Sequence, residues 1–333
     1  TNDPNGTEPV DGTFESGEAW YARYSFSRTT DVDTPAIGGA GGVIAGRVKI
    51  SENNSPVPQN RVFFDYRYFK NVYRNLGGIG DMNRFVFGYE RTLGCGCSSI
   101  DVRVPYAATL ESDIRDFSTT ARDIELGNVT FTYKQILYNR GRSLMSGGMS
   151  VAVPSGDDLR IFSRYGPQYF ELENRSVHFM PFLGWLKTNG MSSFMIFTQL
   201  DFDANGNRVY GNLDGGSLPQ LGVLNDNNWF YLDLSYTRWI YGCTHPHVHG
   251  LSGIASFIEL HYSRSLRDSD RVVGNGFNVG TNRDDFDILN LTKGTHFRFG
   301  RSTYLTPSGI VSLNGTDQRQ YRWGFTLQVN RYF

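Results

Sequence analysis

The chain has 333 residues, a formal net charge of −1 and an aromatic content of 14%. This length fits either two soluble domains or one large barrel. The near-zero charge argues against nucleic acid as a partner, because binding to a phosphate backbone depends on an excess of Lys and Arg. Helical membrane spans are excluded, since no run of about eighteen apolar residues occurs. A transmembrane sheet is not excluded, because it needs an apolar residue facing lipid only at every second position.

The first sixty residues differ in composition from the rest. They are rich in Gly, Pro, Asn, Asp and Ser, they include the Gly-rich tract 35–46 (PAIGGAGGVIAG), and they carry one aromatic patch at 20–26. Such a leader is expected either to hang free as a tail or to fold into the interior of the following domain as a plug. Thr1 is not an initiator Met, as expected of a mature chain that has lost a signal peptide. We therefore predict two regions, a leader over 1–60 and a second domain over 61–333.

From Arg61 onward, runs of alternating apolar and polar residues recur about twelve times. In the first of them Val62 and Phe64 alternate with Arg61 and Asp65. A period of two is the mark of a β-strand with one apolar and one polar face. The predicted strands are 61–72, 83–94, 99–109, 125–138, 143–154, 176–187, 191–203, 228–241, 251–264, 286–299, 302–313 and 321–333.

The last strand, 321–333 (YRWGFTLQVNRYF), has the clearest pattern. Its odd positions run from Tyr321 through Trp323 to Phe333, and its even positions begin with Arg322 and Gly324. A strand of about ten residues with aromatic residues at both ends can cross a bilayer at a tilt. A terminal Phe on the apolar face resembles the C-terminal strand of bacterial outer-membrane proteins.

The predicted connections alternate between tight turns and long polar loops. The tight ones lie near 95–98, 139–142, 188–190, 242–250 and 300–301, and the long ones near 110–124, 155–175, 204–227 and 265–285. Short periplasmic turns and long outer loops are typical of outer-membrane barrels, whereas a soluble β-sandwich does not predict this asymmetry. We predict an all-β, transmembrane, antiparallel up-and-down barrel of about twelve strands, with the C-terminus in the periplasm. Closure of the barrel would pair strand 61–72 with strand 321–333. The alternative is a barrel of fourteen strands, in which segment 15–28 or 36–50 joins the wall.

Four stretches resemble a large family of outer-membrane barrels of planctomycete-type bacteria. They are 47–72, which contains SPVPQNRVFFDYRYF, PFLGWL at 181–186, FTQLDFDANGNRV at 197–209, and the final QVNRYF. The stretch MSVAVPSGD at 149–157 also resembles FadL-like transport barrels for aromatic compounds. The resemblance implies location in the outer membrane and barrel architecture, and it transfers no binding residue.

The polar strand faces carry charges of both signs. The predicted lumen-lining residues are Arg61, Asp65, Arg67, Arg84, Glu90, Asp101, Arg103, Lys134, Asp201, Asp233, Glu259, His261, Arg298 and Arg322. Opposed charges across a narrow lumen would orient polar solutes; alternatively they pair with one another and fill a plugged interior. We predict a porin-like channel or transporter for small solutes, with outer-membrane lipid as a partner and no cofactor. The alternative is a structural barrel that docks envelope proteins or further copies of the chain, through its loops or through an outer aromatic patch at Trp229, Trp239 and Tyr241. The alternation assigns these three residues inward, so the patch would form only if they clustered outside instead.

Cysteine and histidine residues concentrate in two predicted turns. They are Cys95 and Cys97 in one turn, and Cys243, His245, His247 and His249 in the other. The oxidising periplasm permits a disulfide, either Cys95–Cys97 or one that involves Cys243. The alternating His residues with Cys243 could present N and S ligands to Zn or Cu, although Pro246 disturbs the pattern.

A remote enzyme alternative comes from His261 and Ser263. They lie two apart in HYSRS, which faintly resembles the His-x-Ser element of outer-membrane phospholipases. In those enzymes His activates a Ser nucleophile on the lipid side. Here the alternation turns both residues toward the lumen, and Arg264 and Ser265 replace the usual Asn-Gly. We therefore predict no enzymatic activity.

Overall fold

The computed structural model describes residues 30–33, 53–74, 78–108, 113–115, 124–163, 166–213, 216–242, 250–267, 270–280, 286–315 and 320–333. In these ranges no helix is long and apolar enough to span a membrane. The strands are, in chain order, β1 (Thr30–Asp33), β2 (Arg61–Arg74), β3 (Gly78–Leu93), β4 (Ser98–Ala108), β5 (Asp113–Arg115), β6 (Ile124–Leu126), β7 (Val129–Arg140), β8 (Ser143–Val153), β9 (Leu159–Phe162), β10 (Gln168–Leu172), β11 (His178–Asn189), β12 (Ser192–Asp203), β13 (Asn207–Gly211), β14 (Gln220–Leu224), β15 (Trp229–Tyr241), β16 (Leu251–Ser265), β17 (Arg271–Gly274), β18 (Phe277–Gly280), β19 (Asp287–Phe299), β20 (Thr303–Ser312) and β21 (Trp323–Tyr332).

Twelve of these strands form a closed antiparallel barrel. In order around the wall they are β2, β3, β4, β7, β8, β11, β12, β15, β16, β19, β20 and β21. The barrel closes between β2 and β21, where Arg61 pairs with Tyr332 and Lys70 pairs with Trp323. This confirms the predicted up-and-down topology and the predicted closing pair. Because the barrel closes with twelve strands, the fourteen-strand alternative is wrong; its two extra segments, 15–28 and 36–50, lie outside the described residues.

Most predicted strands match the observed limits to within one or two residues, and two differ by more. The prediction 83–94 starts too late, since β3 begins at Gly78. The prediction 125–138 covers two elements, β6 and β7, which both pair with β4. Gly127 separates them, and its amide donates to the Pro105 carbonyl at 2.8 Å. The wall therefore continues past the interruption.

The alternation of side chains along the barrel strands separates two environments. On β2, Arg61 and Asp65 are buried inside, whereas Val62 is 44% exposed on the outer face. On β3, Glu90 is buried inside and Phe87 is exposed outside. In a hydrocarbon medium every backbone amide must find a partner within the protein, and a closed barrel meets this requirement because it has no edge.

The two ends of the barrel differ, and we call them the turn end and the loop end. The turn end holds the start of β2, the end of β21 and the connections 94–97, 141–142, 190–191, 242–250 and 300–302. Gly141 and Gly190 adopt φ of 61° and 59°, as two-residue hairpin turns require. The loop end holds the connections 75–77, 109–128, 154–177, 204–228, 266–286 and 313–322. The predicted asymmetry is present, with 75–77 as a short exception.

The long connections fold into a cap at the loop end. One sheet has the order β14-β13-β10-β9-β5 and a second has the order β1-β18-β17. Residues of both sheets share one apolar core, formed by Ile114, Leu159, Ile161, Phe170, Leu172, Val209, Leu224, Val272, Phe277 and Val279. The sequence predicts long polar loops here, so the cap is an addition to the predicted fold. β1 belongs to the leader, and it pairs in parallel with β18, Thr30 opposite Phe277.

Candidate functional site in the barrel lumen

Residues 53–59, which we call the leader segment, lie inside the barrel. Asn53 adopts a φ of 59°, which Asn tolerates better than most residues. The Arg61 guanidinium donates to the Asn53 side-chain oxygen at 2.9 Å and to its carbonyl at 3.0 Å. The Asn53 amide in turn donates to Asn330 Oδ1 at 3.0 Å and to Asp65 Oδ1 at 3.2 Å. These contacts bind one end of the segment to β2 and β21.

The rest of the leader segment contacts β3, β7 and β11. Lys134 Nζ donates to the Val57 carbonyl at 3.4 Å, and the Gln59 amide donates to Glu90 Oε1 at 3.2 Å. Pro56 packs against Gly184 of β11, where an added Cβ would approach the proline ring to 3.1 Å. The segment is thus held by five strands, β2, β3, β7, β11 and β21.

A buried ion cluster lies beside the leader segment at the turn end. The Glu90 carboxylate accepts from Arg61 Nε at 2.9 Å, from Lys134 Nζ at 2.9 Å and from Ser99 Oγ at 2.8 Å. Glu90 and Arg61 are both at most 1% exposed. A buried charge is tolerated when it is paired and hydrogen-bonded, and Glu90 meets both conditions. Farther along the same wall, Arg103 Nε contacts Asp101 Oδ1 at 2.7 Å.

The opposite wall, β15, β16 and β19, is acidic and carries histidine. His261 Nδ1 lies 2.7 Å from Asp233 Oδ1, and its Nε2 lies 3.1 Å from Thr292 Oγ1 and 3.4 Å from Glu259 Oε2. His296 contacts Thr306 Oγ1 at 2.8 Å. Most of the buried lumen cations thus lie on β2, β3, β4 and β7, whereas Asp233 and Glu259 on this side contact His261.

The leader segment separates two cavities. The first measures about 70 Å³ and borders the cationic wall, and the second measures about 180 Å³ and borders Asp233, Glu259 and His261. Asn54 lines both cavities, Ser55 lines the first, and Asn53 lines the second. Space for small molecules therefore remains on each side of the segment.

The inner face of the barrel is less polar than the alternation predicts. Phe182 and Phe197 lie inside with their ring centroids 5.1 Å apart. Two apolar clusters are buried near the loop end, one of Phe69, Val72, Met82, Ala107, Ile310 and Tyr321, the other of Trp229, Tyr231, Phe286 and Ile288. Tyr321 was expected on the outer face, and this expectation is wrong, because β21 begins only at Trp323 and Tyr321 packs against Phe69 at 4.9 Å.

Most of the predicted lumen residues lie inside the barrel. Those with buried side chains are Arg61, Asp65, Arg67, Arg84, Glu90, Asp101, Lys134, Asp201, His261 and Arg298, and those partly buried are Arg103, Asp233 and Glu259. Arg298 stacks over Trp239 at 4.7 Å and bonds to Ser252 and the Gly242 carbonyl, near the turn end. Arg322 does not line the lumen: it is exposed, one residue before β21, and its amide donates to the Lys70 carbonyl at 2.8 Å.

A histidine and carboxylate cluster at the loop end has only one member among the predicted residues, Asp201. His178 Nδ1 lies 2.8 Å from Asp201 Oδ1, and its Nε2 lies 3.3 Å from Asp226 Oδ2. His178, Asp203 and Asp226 each offer a ligand atom, and these atoms lie within 4.8 Å of one another, an arrangement that could hold a divalent cation. In the sequence, the acidic stretch DFDANGN at 201–207 could have indicated a cation site. It could not have indicated His178 and Asp226, which are remote from it in the sequence.

The predicted cysteine and metal sites are described in part. Cys95 and Cys97 are exposed free thiols in the turn 94–97, with Sγ atoms 2.7 Å apart. The hydrogen bond between the two thiols lowers the pKa of the Cys95 thiol. Cys243, His245, His247 and His249 lie outside the described residues, so a disulfide and a Zn or Cu site in this turn both stay predictions.

His261 and Ser263, the pair behind the enzyme alternative, are buried on the inner face. Trp229, which the alternation assigns inward, does lie inside: it is 2% exposed and stacks against Tyr231 and Phe286, with ring centroids 6.1 and 5.8 Å away, so it does not contribute to an outer aromatic patch. Of that patch, Tyr241 is exposed, after a register shift in the β15–β16 pairing.

Comparison with known proteins shows a barrel of the outer-membrane type. No family model matches the chain, and no curated protein matches it. An outer membrane channel from Pseudomonas putida F1 superposes with a TM-score of 0.57 at 10% identity, over 86% of this chain and 100% of that one. The beta domain of the Bordetella autotransporter BrkA gives a TM-score of 0.48 at 10% identity, over 83% of this chain and 99% of that one. At such identities the likeness concerns the fold.

Proposed function

We propose that the protein is an outer-membrane channel for small solutes. The observation that carries this proposal is a closed barrel with an apolar outer face and a charged interior that keeps two cavities. Phe87, Leu183 and Ile258 are 52%, 50% and 43% exposed on the outer face. A band of such residues is unfavourable in water and suits lipid. The similarity in fold to the Pseudomonas putida outer membrane channel supports the proposal.

Aromatic pairs at both ends of the barrel support a transmembrane placement. At the turn end, Tyr89 stacks on Phe333 with ring centroids 6.1 Å apart. At the loop end, Tyr68 and Trp323 have ring centroids 5.4 Å apart. Aromatic girdles at both interfaces are typical of barrels in the outer membrane. We therefore propose that the turn end, with the C-terminus, faces the periplasm and that the cap faces the outside of the cell. We also propose, from the sequence resemblance, that the protein comes from a planctomycete-type bacterium.

The leader region 1–60 is proposed to act as a plug. The support comes from the leader segment, which crosses the lumen between the two cavities and bonds to Arg61, Glu90 and Lys134. The pairing of β1 with β18 places a second part of the leader in the cap at the loop end. The path for solutes through the lumen would then be narrow while the leader segment is in place and wider when the segment is released.

Single-channel recording in planar bilayers tests this function. Wild-type protein is compared with a deletion of residues 1–59, which removes the leader segment and leaves β2 complete. The expected result is small conductance steps for the wild type and larger steps for the deletion. A deletion protein that folds and inserts but stays silent would contradict a channel.

A structural barrel is the second candidate function, and the Glu90 cluster favours it. Glu90 is satisfied by Arg61, Lys134, Ser99 and the Gln59 amide, as expected of charges that fill a closed interior. In that case the cap would dock envelope proteins or further copies of the chain. We propose no catalytic role for His261 and Ser263, which face the lumen and not the lipid.

A further inference from the structure

A band of exposed cations surrounds the turn end of the barrel, and we call it the cationic rim. Its members are Arg91, Arg140, Lys187, Arg238 and Arg331 on β3, β7, β11, β15 and β21, and Arg142 and Arg301 in two turns. By the alternation along their strands, the five strand residues point to the outer face. Each lies at most three residues from the end of its strand, which is about 10 Å or less along the strand.

The sequence around the cationic rim contains no acidic residue. The stretches that hold its seven cations have neither Asp nor Glu, and they are 91–98, 137–146, 185–194, 236–253, 297–306 and 329–333. Glu90, which precedes Arg91, points inward and is bonded to Arg61 and Lys134. The α-carboxylate of Phe333 offsets at most one charge, so seven cations less one carboxylate leave a net charge of at least +6.

The contacts of the cationic rim in the described residues are with neutral groups. Arg91 lies over the Phe333 ring at 5.6 Å. Arg142 donates to Asn189 Oδ1 at 2.8 Å, and Arg331 donates to Thr303 Oγ1 at 2.6 Å. The positive charges of the rim are therefore available to an anion from outside the protein.

Outward cations near the loop end face carboxylates of the same protein. Lys70 of β2 contacts Asp81 of β3 at 2.9 Å, and Arg264 of β16 lies opposite Asp287 of β19 in the strand pairing. Lys293, a further outward cation, lies at mid-height on β19, six residues from its end. The excess of positive charge on the outer face is thus concentrated at the turn end.

Four strand cations of the rim follow an aromatic residue by two positions on the same outward face. The pairs are Tyr89 and Arg91, Tyr138 and Arg140, Trp185 and Lys187, and Tyr236 and Arg238. In each pair the cation is nearer the strand end, by up to about 7 Å. Tyr and Trp of a membrane barrel lie at the interface with the headgroups, so cations two residues farther out reach the phosphate groups. An acidic soluble protein would meet the turns, whereas these side chains face sideways, toward lipid.

We propose that the cationic rim binds the headgroups of an anionic phospholipid of the phosphatidylglycerol type in the leaflet around the turn end. The proposal rests on the membrane placement proposed above and adds a lipid partner to it. Arg140 of β7 and Lys187 of β11 both pair with Ser143 of β8, which lies between them. They are therefore about 10 Å apart, and a phosphate between them can accept charge-assisted hydrogen bonds from both.

Electron spin resonance of spin-labelled lipids tests the proposal with the full chain in phosphatidylcholine vesicles. Lipids in contact with a membrane protein give a motionally restricted signal, and its share is compared for labelled phosphatidylglycerol and labelled phosphatidylcholine. We expect phosphatidylglycerol to associate at least about twofold more strongly, averaged over the whole lipid shell. The preference should disappear at roughly 1 M salt, where the Debye length falls to about 3 Å. Equal association of the two lipids would overturn the proposal.

Variants locate the lipid site. Replacing Lys187, Arg238 and Arg331 together with Gln should reduce the preference by roughly 40%, since three of seven similar cations are lost. The control replaces Lys70 with Gln and Asp81 with Asn, which removes an outward charge pair of the loop end and should leave the preference unchanged. A triple variant with the wild-type preference would overturn the location.

The outcomes also separate this proposal from the membrane placement on which it rests. If the triple variant fails to fold, the salt dependence of the wild type decides. A restricted lipid signal without any preference rejects the lipid site and leaves the transmembrane barrel standing. Vesicles that show no restricted lipid at all would reject the membrane placement and the lipid site together.

Discussion

Replacing Glu90 with Gln tests the buried cluster that joins the leader segment to the barrel wall. The carboxylate of Glu90 contacts Arg61 Nε and Lys134 Nζ, each at 2.9 Å, and none of these three side chains is more than 7% exposed. Removing one partner of a buried ion pair costs about 3–5 kcal/mol, because the remaining charge stays buried. Gln keeps an oxygen that can accept from Ser99, which offsets a small part. We expect Glu90→Gln to lower the free energy of unfolding by about 3–5 kcal/mol.

The measurement is urea-induced unfolding in lipid vesicles, followed by tryptophan fluorescence. Asp81→Asn is the matched control, because Asp81 contacts Lys70 at the same distance of 2.9 Å but both side chains are more than 30% exposed. Exposed pairs contribute little to stability, so the control should unfold at the midpoint of the wild type. A urea midpoint of Glu90→Gln no lower than that of Asp81→Asn would refute the view that this buried cluster stabilises the folded barrel.

Three further predictions concern the plug, the cap and the turn end. Gly184→Val should displace the leader segment, since a Cβ at this position would lie 3.1 Å from Pro56. A folded Gly184→Val barrel should then show larger single-channel conductance steps than the wild type. Unchanged steps would argue against contact between the plug and the barrel wall. Phe277→Ala should lower the free energy of unfolding of the cap by about 3–5 kcal/mol, because Phe277 is fully buried in the shared core. A protease should then cut the loop-end connections while the barrel stays intact. An unchanged cleavage pattern would count against a common core. The hydrogen bond between the two thiols of the turn lowers the pKa of Cys95 and raises the pKa of Cys97. Iodoacetamide near pH 7 should therefore alkylate Cys95 first, and equal alkylation rates measured by mass spectrometry would contradict this.

The barrel was predictable because its strands follow a period of two with few interruptions. All twelve predicted strands overlap observed barrel strands, and the pairing of β2 with β21 follows from the requirement that the sheet has no edge. Face assignment succeeded where charges alternate with apolar residues, as along Asp65, Tyr66, Arg67 and Tyr68. It also succeeded at 229–232 (WFYL), where both faces are apolar, because Trp229 shares the parity of Asp233 and Ser235 and is buried inside.

Other features depend on contacts between distant segments. The cap strands β9 and β10 have four and five residues, too few for a periodic signal within a polar loop. The cluster of His178, Asp203 and Asp226 joins the first residue of β11, the last residue of β12 and the connection before β15, and neighbouring members are more than twenty residues apart in the sequence. The leader was predicted as either a plug or a tail, and its composition could not decide between them, since Asn53 and Pro56 acquire partners only when the barrel closes around them.

Spin labels along β21 test most directly that this sheet is a cylinder with lipid outside and a polar interior. Single cysteines are introduced one at a time into a cysteine-free chain, and collision with oxygen, which concentrates in lipid, is compared with collision with a water-soluble nickel complex. Labels should collide more with oxygen at outward positions than at inward ones, the outward ones being Phe325, Leu327 and Val329 and the inward ones Thr326, Gln328 and Asn330. Equal oxygen collision at all six positions, or higher values at the inward three, would contradict the barrel and the proposed channel with it.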